Sequence, residues 1–467
     1  MMKDATRRRI VFIHLDWGIG GAESLMLQLA LASSSQKHDV QLVTTRCDPE
    51  HCFAALKPPD GILVPFLHVW GSWIPSHLGG RCQAMMSTLR LLYAALCVGM
   101  QPEHADVIVL DVLPTPLWLL RWLTPRSGLL FYCHFPDQLL VREKTVEEDE
   151  KEEKKDRLSG IYRFVLNSLE EHTMHLADTI TVNSNFTQSV VRETFPSLKG
   201  NPLPVLYPAL DASAAIQHEA TKKNPRLVVS LNRYERKKNL ELFLRAAALL
   251  QHETTIVIAG GYDVRNVENV EYRAELGSLA TELGVRVDFR LSISDTERQD
   301  LLTTAAAVVY TPEREHFGIV PIEAMAAGTA VVCCDSGGPT ETVKDGVTGF
   351  LCAPLPFAFA AALDRILEDP KRQISMGAAG RAHVQETFGT ERLAREWEDM
   401  VQATAEKGFS RRRGMWRTPV YCLIATATCL IVCWILTLWL RRMGVLEDHH
   451  SILGGARRFL SGGKDEL

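Results

Sequence analysis

The strongest chemical signal in the chain is a pair of glutamates, Glu315 and Glu323, with seven residues between them. Pro321 is favoured in the first turn of a helix, so we expect Glu315 in a loop and Glu323 in the first turns of that helix. Gly318 and Ile319 lead into the helix, where free backbone amides can hold a phosphate. Each carboxylate can then accept hydrogen bonds from sugar hydroxyls. The alternative is structural: a surface glutamate and a favourable helix-start charge.

A basic segment could neutralise that phosphate. Arg233 and Lys238 follow the predicted strand Leu227–Leu231 and precede a helix predicted to begin near Asn239. Basic runs are also common on solvated surfaces. Because ligands of parallel sheets sit at the carboxyl ends of the strands, this position favours binding in the same cleft as Glu315.

A glycine-rich turn follows the first predicted strand, Arg9–Leu15, and contains Gly20 and Gly21. Glycines there let a ligand approach the backbone closely, at the start of a helix that favours an anion. Glu23, however, stands where a dinucleotide fingerprint needs its third glycine. The second predicted strand, Val40–Thr44, is also not followed by the acidic residue that holds a cofactor ribose. A nicotinamide-dependent dehydrogenase is therefore disfavoured.

A single histidine, His134, follows the predicted strand Leu129–Cys133 and would face the donor across the cleft. A lone histidine at a strand end is more often structural than functional. The chain contains no D-x-D pair, the motif that usually binds the metal ion of a sugar diphosphate. We therefore expect no metal, and expect arginine, lysine and helix dipoles to offset the charge of a leaving group.

Strand-type and helix-type segments alternate in two series that meet at Pro204–Pro208. Such alternation is typical of parallel sheets with helices on both faces. We predict an α/β chain of two Rossmann-like, doubly wound domains facing a cleft, residues 1–205 and 206–408, the second with a returning C-terminal helix. The remaining predicted strands are Val107–Leu110, Thr179–Val182, Thr255–Ala259, Val285–Leu291, Ala307–Tyr310 and Thr329–Cys333. The remaining predicted helices are Glu23–Ala32, Met85–Val98, Ile161–Ala177 and three that begin near Glu271, Asp295 and Pro321. Ser294 and Glu297 form a predicted capping box at the start of the helix near Asp295.

The composition is that of a folded chain, with 46% hydrophobic and 23% charged residues among 467. A net charge of −5 gives no bulk attraction to nucleic acid, and we expect no such partner. Residues 143–157 are almost entirely charged, which indicates a solvated loop or a frayed helix end. Residues 68–100 combine Trp70 and Trp73 with an apolar helix, so they are either core or a surface that rests on lipid.

One apolar segment has the length and flanks of a membrane span. Residues 420–440 are 21 uncharged residues, close to the ~20 that cross a bilayer. The larger basic cluster precedes the segment, which favours a cytosolic location for that side. Residues 464–467 read KDEL, an endoplasmic reticulum (ER) retrieval signal that is recognised in the lumen. We predict an ER membrane protein with cytosolic catalytic domains, one C-terminal transmembrane helix and a luminal tail, residues 441–467.

At these motifs the chain resembles the retaining glycosyltransferases of family 4, whose architecture is called GT-B. More narrowly, it is similar to the mannosyltransferases that form alpha-1,3 and alpha-1,6 links in dolichol-linked oligosaccharide assembly. The two-glutamate motif carries the broad likeness. Residues 131–137 (FYCHFPD) and 232–239 (NRYERKKN) carry the narrower one, and the likeness covers roughly residues 9–390.

The resemblance implies GDP-mannose as donor and a dolichyl-diphosphate-linked mannosyl-chitobiose as acceptor. Two mannoses would be added in turn at the cytosolic face of the ER membrane, with no cofactor and no metal, and the donor phosphate would help to deprotonate the acceptor. Other glycosyltransferases of the pathway are candidate partners.

The resemblance also implies roles for the motif residues. It implies that Arg233 and Lys238 bind the diphosphate, that Gly20 and Gly21 border it, and that Gly318 and Ile319 begin the donor-binding helix. Glu323 would bind the nucleotide ribose and Glu315 the transferred mannose. His134 would contact the mannose near the reacting carbon.

Three other interpretations stay open. A family enzyme that starts glycosylphosphatidylinositol anchors would use UDP-N-acetylglucosamine, and another would add the next mannoses of the dolichol pathway. A non-catalytic membrane adaptor could keep the same fold, although the intact Glu315, Glu323, Arg233 and Lys238 weigh against it. The acidic insertion and the C-terminal anchor depart from the family pattern and leave the membrane arrangement and regulation in doubt.

Overall fold

The computed structural model describes residues 7–77, 82–139, 157–210 and 223–411. The predicted span and tail, residues 420–467, lie outside them, as does the acidic segment apart from Arg157. The described strands are β1 Arg9–His14, β2 Asp39–Thr44, β3 Leu67–Val69, β4 Val107–Asp111, β5 Gly128–Cys133, β6 Thr179–Val182, β7 Leu227–Leu231, β8 Thr255–Gly260, β9 Val287–Leu291, β10 Ala307–Tyr310, β11 Ala330–Cys334 and β12 Gly349–Cys352.

These strands form two six-stranded sheets in which every described pair of neighbours is parallel. The first sheet has the order β3-β2-β1-β4-β5-β6 and the second β12-β11-β10-β7-β8-β9. Each is the doubly wound order 3-2-1-4-5-6, which reverses between its first and fourth strands. The prediction of two Rossmann-like sheets is confirmed.

Two edge strands, β3 and β12, were missed by the sequence pattern. β3 has only three residues, of which His68 and Val69 are exposed, so no buried apolar run marks it. β12 begins at Gly349, a residue type that is depleted in strands. Its glycine is needed because a Cβ there would lie 2.2 Å from the carbonyl oxygen of Val331 on the neighbouring strand.

Helices cover both sheets. The described helices are α1 Gly21–Ser35, α2 Gln83–Gly99, α3 Leu117–Leu123, α4 Arg157–Met174, α5 Asn185–Thr194, α6 Leu240–Ala247, α7 Val267–Glu282, α8 Asp295–Thr304, α9 Ile319–Ala326, α10 Pro339–Thr342, α11 Pro356–Leu367, α12 Pro370–Thr387 and α13 Thr390–Ser410. The predicted capping box of α8 is confirmed, because Ser294 and Glu297 cap each other's backbone amides.

The last described helix, α13, packs against β5 and α1 of the first domain. Trp397 is fully buried there and donates a hydrogen bond from Nε1 to Ser33 Oγ at 2.8 Å. Close approach to β5 requires glycine, since a Cβ on Gly408 would lie 2.3 Å from the backbone nitrogen of Gly128. The chain thus crosses back and ties the two sheets together.

Hydrogen bonds to one carboxylate join the domains near the cleft. Glu341 of the second domain accepts from the backbone amides of Asn185 at 2.8 Å and Phe186 at 2.9 Å, in the first turn of α5. It also accepts from the Tyr207 hydroxyl at 2.9 Å. A carboxylate at a helix N-terminus is favoured by free amides and by the helix dipole.

Residues 68–100, for which core and lipid contact were both open, have a buried and an exposed face. Leu91 and Ala94 of α2 are fully buried against the first sheet. Leu89, Leu96 and Met100 are exposed, and their spacing of seven and four places them on one side of the helix. Among the described residues, no helix is both long and apolar enough to cross a membrane.

Candidate active site

Three side chains meet at the carboxyl ends of β1, β4 and β5. His14 ends β1, Asp111 ends β4 and His134 directly follows β5. The Asp111 carboxylate accepts from His14 Nδ1 at 2.8 Å and from His134 Nε2 at 3.0 Å. His14 and Asp111 are buried, whereas 19% of the His134 side chain is exposed. His134 is therefore the member of this network that can reach a ligand.

The buried pair in this network is ionised. Burial alone would lower the pKa of His14, but the carboxylates of Asp111 and Glu23 outweigh it and raise that pKa. Burial would likewise raise the pKa of Asp111, but His14 and His134 lower it overall. A carboxylate that accepts two imidazole hydrogen bonds is favoured in its charged form.

The glycine turn lies beside this network. Gly20 precedes α1, and a Cβ on it would lie 2.3 Å from Glu23 Oε2. Glu23 Oε1 is 3.7 Å from His14 Nε2. A Cβ on Gly21 would meet no atom within 4 Å, so the space beside it is open. The first-turn amides of α1 face a position that an anion can occupy.

On the opposite sheet, Lys238 and Glu315 form an ion pair through Nζ and Oε2. The Tyr310 hydroxyl, at the end of β10, donates to the same oxygen at 3.1 Å. Only 13% of the Lys238 side chain and 22% of the Glu315 side chain are exposed. Burial would raise the pKa of Glu315, but the Lys238 ammonium outweighs it and lowers that pKa. Glu315 is thus a charged hydrogen-bond acceptor at the carboxyl end of the second sheet.

The predicted helix start is present. Gly318 caps α9 with a φ of 80°, a conformation that favours glycine, and Ile319 is the first helical residue. Glu323 lies in the second turn and pairs with Arg298 of α8. Part of each side chain is exposed, so Glu323 is open to solvent on the side of the cleft.

Arg233 differs from the other predicted site residues because 62% of its side chain is exposed and it pairs with Glu235 at 2.9 Å. It lies two residues beyond β7, beside Gly261. Arg233 is therefore at the cleft edge but pairs within its own loop. Within the described residues, no group of three or more histidine, cysteine, aspartate or glutamate side chains has an arrangement that could hold a metal ion.

Aromatic stacking brings together two half-sites, the His134 network on the first sheet and the Lys238–Glu315 pair on the second. The rings of Phe135 and His316 lie 3.6 Å apart between centroids, with an interplanar angle of 14°. These residues directly follow His134 and Glu315, and the Ser184 hydroxyl donates to the His316 carbonyl at 2.6 Å. Burial lowers the pKa of His316 to about 4, so its ring is neutral. The predicted catalytic residues thus flank one contact between the domains.

Sequence reasoning missed His14, Asp111, Tyr310 and Arg298. The first three end strands at the cleft edge, which is the signal that could have found them. The predicted strand Val107–Leu110 stopped one residue before Asp111, because the pattern followed apolar residues alone. Arg298 carried no such signal, since α8 is largely polar.

Two doubly wound domains with their strand ends facing one cleft define a glycosyltransferase of the GT-B class. Residues 19–214 match the Glycosyltransferase Family 4 model, and residues 211–383 match the model for Glycosyl transferases group 1. The fold is similar to those of sucrose-phosphate synthase from Thermosynechococcus elongatus (TM-score 0.64, 22% identity, 85% of this chain and 98% of that chain) and WaaG, a lipopolysaccharide glycosyltransferase (TM-score 0.56, 17%, 84% and 99%).

Relatives of known activity narrow the class. The human alpha-1,3/1,6-mannosyltransferase ALG2 is 39% identical over 402 residues, which cover 82% of this chain and 92% of that protein. The Saccharomyces cerevisiae ALG2 is 34% identical over 450 residues, or 86% of each chain. The chain belongs to the alpha-1,3/1,6-mannosyltransferase family of glycosyltransferases.

Lys238→Ala is expected to weaken GDP binding by ~1.5–3 kcal/mol, the usual contribution of a hydrogen bond to a charged group. Isothermal titration of the purified full chain with GDP measures the change. Lys237→Ala is the matched control, because its side chain is 54% exposed and pairs with Glu235 outside the buried pair. Equal GDP affinities for the wild type and Lys238→Ala would exclude Lys238 from the diphosphate site.

Proposed function

We propose that the chain transfers mannose from GDP-mannose to a dolichyl-diphosphate-linked mannosyl-chitobiose, forming alpha-1,3 and alpha-1,6 links in N-glycan precursor assembly. The observation that carries this proposal is the partly buried Lys238–Glu315 pair, positioned across the Phe135–His316 stack from His134. It offers a cation for a diphosphate and a carboxylate for a sugar at one point of the cleft.

The proposed transfer retains the anomeric configuration of the mannose. Lys238 and Arg233, with the first-turn amides of α1 near Gly21, offset the charge that develops on the departing GDP. A phosphate oxygen of GDP takes the proton of the acceptor hydroxyl as the bond from that oxygen to the mannose forms. Glu315 and His134 hold the hydroxyls of the mannose, and Glu323 holds the ribose.

The names of the relatives support mannose over N-acetylglucosamine as the transferred sugar. They also support an enzyme over a non-catalytic adaptor, as do the partnered and ionised Glu315 and Asp111.

The test is a mass-spectrometric assay on membranes that contain the full chain. They receive GDP-mannose and a lipid diphosphate that carries chitobiose and one mannose. A gain of two hexoses, at least ~100-fold slower in Glu315→Ala, is expected because that variant loses a charged contact to the transferred sugar. No gain with a folded wild-type protein and delivered acceptor would reject this substrate.

We further propose that the catalytic domains rest on the cytosolic face of the ER membrane, anchored by residues 420–440, with the tail in the lumen. At the end of the described chain, Arg411 pairs with Asp178, which also binds Arg121 at 3.2 Å. The exposed Trp122 comes next to Arg121 in sequence. The described chain therefore ends close to α3 of the first domain.

An apolar face of the first domain consists of Leu89 and Leu96 of α2, Met100 directly after α2 and Trp122 of α3, all exposed. The two helices contact each other, and the proximity of Gly99 to Leu123 brings Met100 near the end of α3. Exposed leucine, methionine and tryptophan side chains suit the apolar boundary of a bilayer. We propose that this face lies against lipid.

The double substitution Met100→Ser and Trp122→Ser should raise the KM for a lipid-linked acceptor in vesicles about 10-fold, because it removes apolar contact with the bilayer. The KM for a detergent-soluble, short-chain acceptor should not change. Ile374→Ser, an exposed apolar residue on α12, is the control. An equal rise in the KM for both acceptors would contradict the proposal that these side chains contact lipid.

A further inference from the structure

Two buried residues, His14 and Asp111, support His134. The proposed transfer gives His134 a role but gives none to these two residues. Asp111 lies at the end of the central strand β4, fully buried, and its two oxygens are shared between two histidines. His14 lies on one side and His134 on the other. An ion pair that only stabilised the sheet would need His14 and Asp111 alone, but here a third, partly exposed ring is held at 3.0 Å.

The chemistry of Asp111 fixes the proton on His134. An ionised carboxylate only accepts hydrogen bonds, so the nitrogen that faces it, Nε2 of His134, must carry a hydrogen. His14, which donates to Asp111 through Nδ1, supplies the positive charge that balances the carboxylate. With the hydrogen on Nε2, the lone pair of the neutral ring lies on Nδ1. In the described part of the chain, no hydrogen-bond partner of that Nδ1 is found.

We propose that Asp111, held by His14, is a positioning residue that keeps His134 in its Nε2–H form, so that Nδ1 accepts a hydrogen bond from a hydroxyl of the transferred sugar. This inference rests on the proposed function for the identity of that sugar. It deepens the proposal by assigning the sugar contact to one atom of His134. No bond to His134 forms or breaks in this role.

The network also reaches the glycine turn. Glu23 of α1 lies 3.7 Å from His14 Nε2, and its carboxylate is beside Gly20. Contacts thus run from Glu23 through His14 and Asp111 to His134. They connect the glycine turn, where the diphosphate is proposed to bind, to the imidazole ring that is proposed to contact the sugar. The same fixed elements orient both, which favours a preorganised site.

Asp111→Asn is the informative variant, because an amide has nearly the same shape but presents an N–H on one side. If its oxygen accepts from His14, its N–H faces His134 Nε2, which must then accept, and the ring proton moves to Nδ1. We expect kcat to fall about 10-fold to 100-fold, as for loss of one hydrogen bond, with the KM for GDP-mannose within about twofold of the wild type.

Asp106→Asn is the matched control. Asp106 lies on the same segment, just before β4 and at the opposite end from Asp111, where it accepts from the backbone amide of Arg9 at 2.8 Å. An asparagine oxygen can keep that hydrogen bond, so kcat and KM should match the wild type.

A double substitution separates positioning from a general structural role. If Asp111 acts through His134, adding Asp111→Asn to His134→Gln should lower kcat no further than His134→Gln alone. If the two losses multiply, Asp111 acts independently of His134 and the proposal is overturned.

The tautomer can be measured without an activity assay. Full-length protein in detergent, labelled with ¹⁵N in its 15 histidines, gives imidazole correlation spectra in which the signals of His134 are those lost in His134→Gln. We expect hydrogen on Nε2 in the wild type and on Nδ1 in Asp111→Asn. Hydrogen on Nδ1 in the wild type would overturn the proposal, even if Asp111→Asn does not fold. Failure of GDP-mannose transfer by the wild type would instead reject the proposed function and leave this spectrum unaffected.

Discussion

The contact between Phe135 and His316 is the interaction on which the site depends. The candidate residues are divided between two sheets, and neither sheet carries both a sugar-facing histidine and the Lys238–Glu315 pair. A stacked pair at 3.6 Å, with Ser184 bonded to the His316 carbonyl, holds the two loops together. The hydrogen bonds of Glu341 to α5 and the return of α13 to the first sheet support the same contact from outside the cleft.

Three carboxylates at the cleft have cationic partners. The buried Asp111 pairs with His14, and the partly exposed Glu315 and Glu323 pair with Lys238 and Arg298. A buried carboxylate without a partner would be costly, so these pairs keep the charges in place before a substrate arrives. A diphosphate can compete for Lys238, and the released Glu315 then faces the sugar. Asp111 cannot exchange its partner in this way, because it is fully buried.

The fold could be predicted from the sequence wherever buried apolar runs alternate with helices. The strands β6, β7 and β10 were predicted at their observed bounds, and most of the others to within one residue at each end. The edge strands β3 and β12 were missed, because β3 is short and exposed and β12 begins at a glycine. The site was predictable where a motif has a local cause, as in the turn at Gly318. His14 and Asp111 were not, because their meeting depends on strand order, which brings β4 beside β1 only after folding. The pairing of Glu323 with Arg298 depends on packing between helices in the same way.

The central claim is that a nucleotide diphosphate binds between the two half-sites, at Lys238. A crystal structure of the full chain with GDP tests it most directly. We expect a phosphate oxygen within hydrogen-bond distance of Lys238 Nζ and the terminal phosphate facing the glycine turn at Gly21, with the Phe135–His316 stack retained. A bound GDP that leaves the Lys238–Glu315 pair intact and contacts neither Lys238 nor the glycine turn would contradict the claim.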